Sequence, residues 1–167
     1  MNNTVQCFVT TPLGAMRLAA GPKGLLGAWF QEDAHGPPPE RFRQWPEAPQ
    51  HPVLIKAGEQ LERYFSGRLR NFDLPLDLDS GTPFQVNAWA ALLEIPWGET
   101  ISYGQLAQRL GRPSAARAAG AAIGRNPLSI IVPCHRVVGS KGALTGYAGG
   151  LPRKTALLRL EQSTSPP

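Results

Sequence analysis

Proline and glycine interrupt this chain so often that no long helix or strand can run through it: 17 prolines and 18 glycines stand among 167 residues. Each proline removes a backbone donor and fixes φ, and each glycine offers the left-handed conformation that ends a helix or turns a strand. The fold must be assembled from short elements joined by tight turns. Hydrophobic residues at 42% against 17% charged residues supply a real core and exclude a charge-driven disordered chain. No stretch approaches the roughly 18 apolar residues of a membrane span, and Met1-Asn2-Asn3-Thr4 lacks the basic and apolar regions of a signal peptide. A cytoplasmic protein with no membrane partner is expected.

Short β-rich runs from Val5 to Thr10, Ala15 to Ala19 and Leu25 to Gln31 are separated by Thr11-Pro12-Leu13-Gly14 and Gly21-Pro22-Lys23-Gly24, the spacing of an antiparallel meander. Six prolines between Asp33 and Pro52 predict a surface excursion. Val53, Leu54, Ala57, Leu61, Tyr64 and Phe65 then recur with helical period, and Gly67 suits the stop. Phe72, Leu74, Leu76 and Leu78 alternate with Asp73, Pro75 and Asp77, which predicts a strand whose proline places it at an edge. Asp79-Ser80-Gly81 reads as a hinge between a first part, residues 1–80, and a second, residues 82–163, with 164–167 as a tail.

The second part opens on complete capping chemistry. Thr82-Pro83-Phe84-Gln85 offers an N-cap hydroxyl, a proline at the first helical position and a glutamine that can reach back. Ser102-Tyr103-Gly104-Gln105 repeats the box and predicts a short helix through Leu110, ended by Gly111. Arg112-Pro113-Ser114 turns into a run from Ala115 to Gly124, the pattern of a helix-turn-helix. That run is alanine and glycine except for Arg117 and Ile123. A helix so free of bulk either packs tightly on its neighbours or approaches a nucleic-acid groove closely, and opposite faces can do both.

Charge separates the two parts. Residues 1–81 hold eight Lys and Arg against nine Asp and Glu, a net of −1, whereas residues 82–167 hold nine against three, a net of +6. The excess is an electrostatic footprint for a polyanion on the second part.

Two cysteines, Cys7 and Cys134, are present, and a reducing compartment disfavours a structural disulfide between them. Cys134 sits in Ile130-Ile131-Val132-Pro133-Cys134-His135-Arg136-Val137-Val138, a β-branched run interrupted by Pro-Cys-His-Arg. A thiol attacks as the thiolate, and a neighbouring imidazole or cation lowers its pKa from about 8.5. Pro133 offers the break that turns the run into an exposed corner, and the alternative is a buried structural cysteine. A zinc site drawn from Cys7, His35, His51, Cys134 and His135 lacks paired ligand spacing, so no metal and no cofactor is expected.

Pro133-Cys134-His135-Arg136-Val137, with Asn126-Pro127 before it and Gly146-Tyr147-Ala148-Gly149-Gly150 and Leu157-Leu158-Arg159-Leu160-Glu161 after it, resembles the signature of the O6-alkylguanine-DNA alkyltransferases, also called methylated-DNA–protein-cysteine methyltransferases. The likeness extends upstream through Ile95-Pro96-Trp97-Gly98, Ser102 to Ala107 and Ala115 to Ala118, in order and at the family's spacing. It implies an α+β fold with a ribonuclease-H-like N-terminal domain and a helix-turn-helix, winged-helix-like catalytic domain. Gly139-Ser140-Lys141-Gly142 reads as the hairpin turn of the wing.

The resemblance also implies the chemistry. Cys134 is the acceptor in a stoichiometric, irreversible transfer from a flipped-out O6-alkylguanine, and O4-alkylthymine is a second substrate. His135 acts as base through a water, Glu161 orients it, Asn126 braces the active-site turn, and Tyr103 donates to guanine N3. The carbonyls of Cys134 and Val137 meet the exocyclic amine, the Ala148 amide meets O6, and Tyr147 lines the pocket. Arg117 is the finger that fills the vacated stack. Ala116, Ala118, Ser102, Gln105, Arg125 and Arg136 are the remaining DNA contacts, made in the minor groove of double-stranded DNA without sequence preference by a monomer. Ala148 stands where some relatives have serine, which suggests a less hindered pocket, and Gly104 replaces a larger residue. Cys7 does not fall where zinc-bearing relatives place a ligand. Two other readings are a non-catalytic sensor of alkylation damage, which would lack the cysteine, and a cysteine hydrolase that turns over.

Overall fold

The computed structural model describes residues 3–33 and 36–163, so His35 and the 164–167 tail lie outside the described residues. The predicted meander forms. Strands β1 (Val5–Thr11), β2 (Gly14–Gly21) and β3 (Gly24–Phe30) make an antiparallel sheet in chain order. Its two faces are used differently, as the alternation of side chains along a strand dictates. Met16, Leu18 and Ala20 join the main core with Leu54, Ala57, Leu61 and Tyr64 of a helix laid across the sheet.

On the other face Ala19 and Trp29 pack with Trp45, and Trp29 stacks on Trp45 with ring centres 6.2 Å apart. The proline-rich excursion is therefore docked. It carries a short helix, α1 (Pro39–Arg43), and Phe42 sits 3.7 Å under the Arg17 guanidinium. Gln6 fixes its return, accepting from Ala48 N at 2.9 Å and donating from its own N to Pro46 O at 3.0 Å.

Helix α2 (Pro52–Phe65) starts with the His51 ring accepting from Val53 N at 3.2 Å and stops at Gly67, whose φ of 79° glycine adopts without strain. Both predicted capping boxes are complete. In α3 (Pro83–Leu92), Thr82 accepts from Gln85 N at 3.2 Å and the Gln85 side chain accepts from Thr82 N at 2.9 Å. In α4 (Tyr103–Arg109) the corresponding bonds join Ser102 and Gln105 at 3.0 and 2.8 Å. Residues 110–115 turn into α5 (Ala116–Gly124), which packs against α3 and α4. Two-residue strands β4 (Ile101–Ser102) and β5 (Val137–Val138) pair in parallel, and α6 (Leu151–Ser163) closes the chain.

Two expectations change. Residues 72–78 make one bridge, Leu76 to Leu25, and no further ladder. Pro75 lends only its carbonyl, to Leu25 N at 2.8 Å, and the Asp73 backbone is taken by the Gln60 side chain through bonds of 2.9 Å in both directions. Past β5 the turn at residues 139–142 forms, with Gly139 N donating to Ala143 O at 2.7 Å, but among the described residues no returning strand pairs with β5, so a wing hairpin is lacking.

The outer edge of β3 joins the two parts. Leu25 binds residues 75–77, and three positions on Ala28 donates to Pro127 O at 2.8 Å and accepts from Ser129 N at 3.0 Å. An edge strand so covered offers no template for another chain. One apolar cluster accordingly runs through both parts, from Leu18 and Tyr64 to Leu92, Ile101, Val132 and Leu157. Within the first part, this edge meets Pro75 closely at Gly24, where φ is 135° and a Cβ would stand 2.4 Å from Pro75 O. Gly24→Ala is therefore expected to cost roughly 2 to 4 kcal/mol of unfolding free energy in urea titration. A loss below about 0.5 kcal/mol, the level of an ordinary surface change, would show that this edge yields.

Candidate active site

Asn126, directly after α5, organises the segment that presents the cysteine. Its buried amide donates to Val132 O at 2.8 Å and to Leu128 O at 3.3 Å, and its oxygen accepts from Leu128 N at 2.9 Å. Residues 127–133 wrap around this one side chain, so the β-branched run at 130–132 forms a turn where its composition suggested a strand. Ile130 is held at a φ of 75°. For a β-branched residue that conformation costs on the order of 1–3 kcal/mol, which the Asn126 bonds and the burial of Ile130 offset.

The chain then makes one 3-10 turn, Cys134–Arg136, in which three successive side chains diverge. Cys134 lines a cleft, while His135 and Arg136 both reach Glu161 on α6. His135 Nε2 lies 2.7 Å from Glu161 Oε2, and Arg136 donates from Nε to Oε1 at 2.8 Å and from a terminal nitrogen to Oε2 at 3.0 Å. Arg136 gives its remaining fork to Ile95 O at 2.6 Å. Its side chain is 7% exposed and donates to Glu161 and Ile95, so the structure turns it away from the DNA contact expected of it.

A fourth donor was missed by sequence reading. Tyr64 of α2, which looked like a core position, donates its hydroxyl to Glu161 Oε2 at 2.6 Å. Burial would raise the Glu161 carboxyl, but the bonds from His135 and Arg136 hold it at about 2. It is therefore an anion and accepts the His135 Nε2 proton, which leaves Nδ1 as the bare lone pair. That nitrogen is buried without a protein partner. Burial, set against Glu161, moves the His135 pKa below 6.5, so the neutral ring is the resting form.

The thiol also departs from expectation. Cys134 is 8% exposed and stands at no exposed corner, and burial pushes its pKa up to about 11 against the opposing pull of Asn126 and Lys154. Adjacency in sequence does not bring contact here, because the imidazole and guanidinium beside Cys134 are turned to Glu161. The cation whose field does reach the sulfur is Lys154, a residue that sequence reading did not single out. It is fully buried, and its ammonium donates to Val137 O at 2.7 Å, Thr145 O at 2.9 Å and Gly146 O at 3.2 Å. A lysine between Arg153 and Thr155 carries no sequence signal of burial.

The cleft encloses about 610 Å³ between α5 and residues 145–148, with Tyr103, Gly120, Ala121, Gly124 and Arg125 on one side and Cys134, Tyr147 and Ala148 among its other walls. Tyr103 donates to Thr145 O at 3.1 Å. Burial, followed by the Cys134 and Asp33 charges, keeps the Tyr147 phenol protonated. Val137 is buried and lends its carbonyl to Lys154. Helix α5 uses both faces, as its composition allowed: Ala119, Ala122 and Ile123 are buried, while Arg117, Ala118, Ala121 and Arg125 are exposed. Ala116 and Ser102 are half-buried and Gln105 is exposed at the start of α4. Both cysteines are free; Cys7 is buried in the N-terminal sheet, and among the described residues no three His, Cys, Asp or Glu side chains gather as metal ligands. No helix among them is long and apolar enough to cross a membrane.

Two family models match this chain, the ribonuclease-like domain of 6-O-methylguanine DNA methyltransferase over residues 5–78 and its DNA-binding domain over residues 83–163. The chain is 47% identical over 158 residues to a methylated-DNA–protein-cysteine methyltransferase of Mycobacterium bovis, covering 95% of this chain and 92% of that protein. It is 46% identical to one from Methanosarcina barkeri, covering 93% and 96%. The crystal structure of Mycobacterium tuberculosis OGT in complex with DNA superposes with a TM-score of 0.84 at 46% identity, covering 93% of this chain and 91% of that one. A chain matched along both parts, with the α+β architecture of those relatives, belongs to the 6-O-methylguanine DNA methyltransferase family.

Proposed function

We propose that this chain repairs alkylated DNA by direct reversal, taking the alkyl group of O6-alkylguanine, and that of O4-alkylthymine, onto Cys134 in one irreversible step. The observation that carries this reading is a thiol lining a cleft of about 610 Å³, with a neutral buried imidazole next to it in sequence and a carboxylate fixing that imidazole's tautomer. In the transfer the Sγ–carbon bond forms as the carbon–O6 bond breaks, and the bonding pair leaves with the purine. The thiol proton passes through a water to Nδ1 of His135. The purine then recovers one proton as His135 releases its own, leaving a thioether, a neutral imidazole and ordinary guanine. Water has no carbonyl to attack in a thioether, so the protein is consumed.

Each remaining residue has a place in that step. Asn126 holds the turn that presents the thiol. Tyr103 exchanges Thr145 O for guanine N3 and stabilises the charge developing on the leaving base. The carbonyls of Cys134 and Val137 receive the exocyclic amine, the Ala148 amide meets O6, and Tyr147 closes the wall. A base inside a duplex cannot reach a buried thiol, so the nucleotide is flipped out and Arg117 fills the stack behind it. The exposed alanines of α5 allow close approach along the minor groove. Arg125, Ser102, Gln105, Ala116 and Ala118 make the further contacts with the duplex, and the +6 balance of residues 82–167 supplies affinity without sequence preference. The protein works as a monomer on double-stranded DNA in the cytoplasm.

Incubation with a duplex carrying one O6-methylguanine should add one methyl mass to the Cys134 peptide, with no further turnover; a protein that gains no mass refutes the reading. Cys134→Ala should abolish the gain and leave duplex affinity within about twofold. Arg117→Ala should slow transfer within duplex at least about tenfold more than reaction with free O6-alkylguanine base, since only the duplex reaction includes unstacking; equal losses on both substrates would remove the finger role.

The raised thiol makes a pH test possible. In the free protein the thiolate fraction grows tenfold per pH unit below a pKa of about 11, so S-alkylation of Cys134 by iodoacetamide should climb about tenfold per unit from pH 7 to pH 10. Transfer from DNA uses His135, which is neutral throughout that range, and should stay nearly flat.

A further inference from the structure

We propose that Tyr64, contributed by the N-terminal half, is a positioning residue for the alkyl transfer: its hydroxyl holds the same Glu161 oxygen that orients His135 and so sets how firmly His135 keeps a proton. The inference rests on the transfer reading above and adds to it a residue from the ribonuclease-like domain. Tyr64 is fully buried, 97 positions from Glu161 in sequence, and donates to Oε2 at 2.6 Å. Burial, then the Glu161 charge, raises its pKa far above the ordinary 10, so it acts there as a donor at every working pH. Phe65, Phe72 and Trp97 stand around its ring with centres 5.3, 5.5 and 5.2 Å away, which leaves the hydroxyl one aim.

Oxygen Oε2 therefore serves three donors: Tyr64, His135 and Arg136. Tyr64 and Arg136 each withdraw charge from the carboxylate and weaken its attraction for a proton on the His135 imidazole. The other charges facing His135 are Arg136 and Lys154, and both oppose that proton, while Tyr147 is the further titratable group that faces Tyr64. Removing the Tyr64 hydroxyl leaves more charge on Oε2. The imidazolium then becomes easier to form, and the low-pH limb of the transfer rate, where His135 is protonated and idle as a base, moves to higher pH. A tyrosine that merely fills the core would change stability and leave the limb in place.

The test measures single-turnover methyl transfer from an O6-methylguanine duplex across about pH 5 to 8, the range of histidine titration, for the full-length chain, Tyr64→Phe and Phe72→Leu. Tyr64→Phe should move the limb up by about half to one pH unit, so that transfer at its foot is about three- to tenfold slower. Phe72→Leu, which loosens the same ring packing without touching Glu161, should lower the melting temperature and leave the limb unmoved. A Tyr64→Phe limb that coincides with the parent's, or one that Phe72→Leu shifts equally, overturns the proposal. If Tyr64→Phe does not fold, site-specific 3-fluorotyrosine at position 64, a stronger donor, must move the limb downward, and a limb left in place again overturns it. The imidazole nitrogen shifts of His135 follow the same titration without DNA, and an unchanged midpoint in Tyr64→Phe is equally fatal. A parent protein that gains no methyl group sinks the transfer reading instead, while the nitrogen titration still tests the link from Tyr64 to His135.

Discussion

A carboxylate taken out of water costs several kcal/mol unless donors replace its hydration. Glu161 is such a carboxylate, and much of this molecule is arranged to supply it. Its donors come from two distant places: Tyr64 on the helix across the N-terminal sheet, and His135 and Arg136 on the turn that begins at Cys134, while Glu161 itself stands on the last helix. Separating the two parts of the chain would uncover the charge. Removing any one donor would leave the others facing an under-solvated anion. The ribonuclease-like domain is thus joined to the reactive centre by chemistry as well as by the strand edge at Ala28 and the shared apolar core.

The same carboxylate explains the resting state of the thiol. Because His135 and Arg136 are turned to Glu161, neither lowers the Cys134 pKa, and burial leaves it high. The resting protein holds a protonated sulfur at the wall of the cleft, with a neutral imidazole next to it in sequence whose free nitrogen is also buried. Under the proposed single-use transfer this arrangement protects the protein, since a thiol that ionised freely would be consumed by stray electrophiles. Lys154 completes the centre by gathering the carbonyls at 137, 145 and 146, so one buried ammonium ties the active-site strand to the loop across the cleft.

How much was legible in advance follows the range of the interaction. Both capping boxes, the stops at Gly67 and Gly111 and the three-stranded meander depend on residues a few positions apart, and all formed as read. The helix from Ala116 to Gly124 showed its two-faced character in its composition alone. Misreadings arose where a distant partner decides the outcome. Residues 130–132 have strand composition, but the Asn126 amide winds the chain around itself. Residues 72–78 alternate like a strand, but Gln60 takes the Asp73 backbone and Pro75 has no donor to give. Arg136 was expected among the DNA contacts because its charge was visible and its partner, 25 residues away, was not.

The order of local motifs, the reactive cysteine with its histidine, and the concentration of positive charge in residues 82–167 were determined by the sequence itself, since each is written in neighbouring residues or in plain composition. The identity of the groups that tune the centre was decided only by tertiary structure. Tyr64 and Lys154 have the sequence appearance of a core aromatic and a surface cation, and each acquires its role when folding brings it to buried oxygens more than one element away. The direction of the Cys134 pKa belongs there too, because desolvation and the orientation of a side chain are properties of the packed molecule that no run of residues encodes locally.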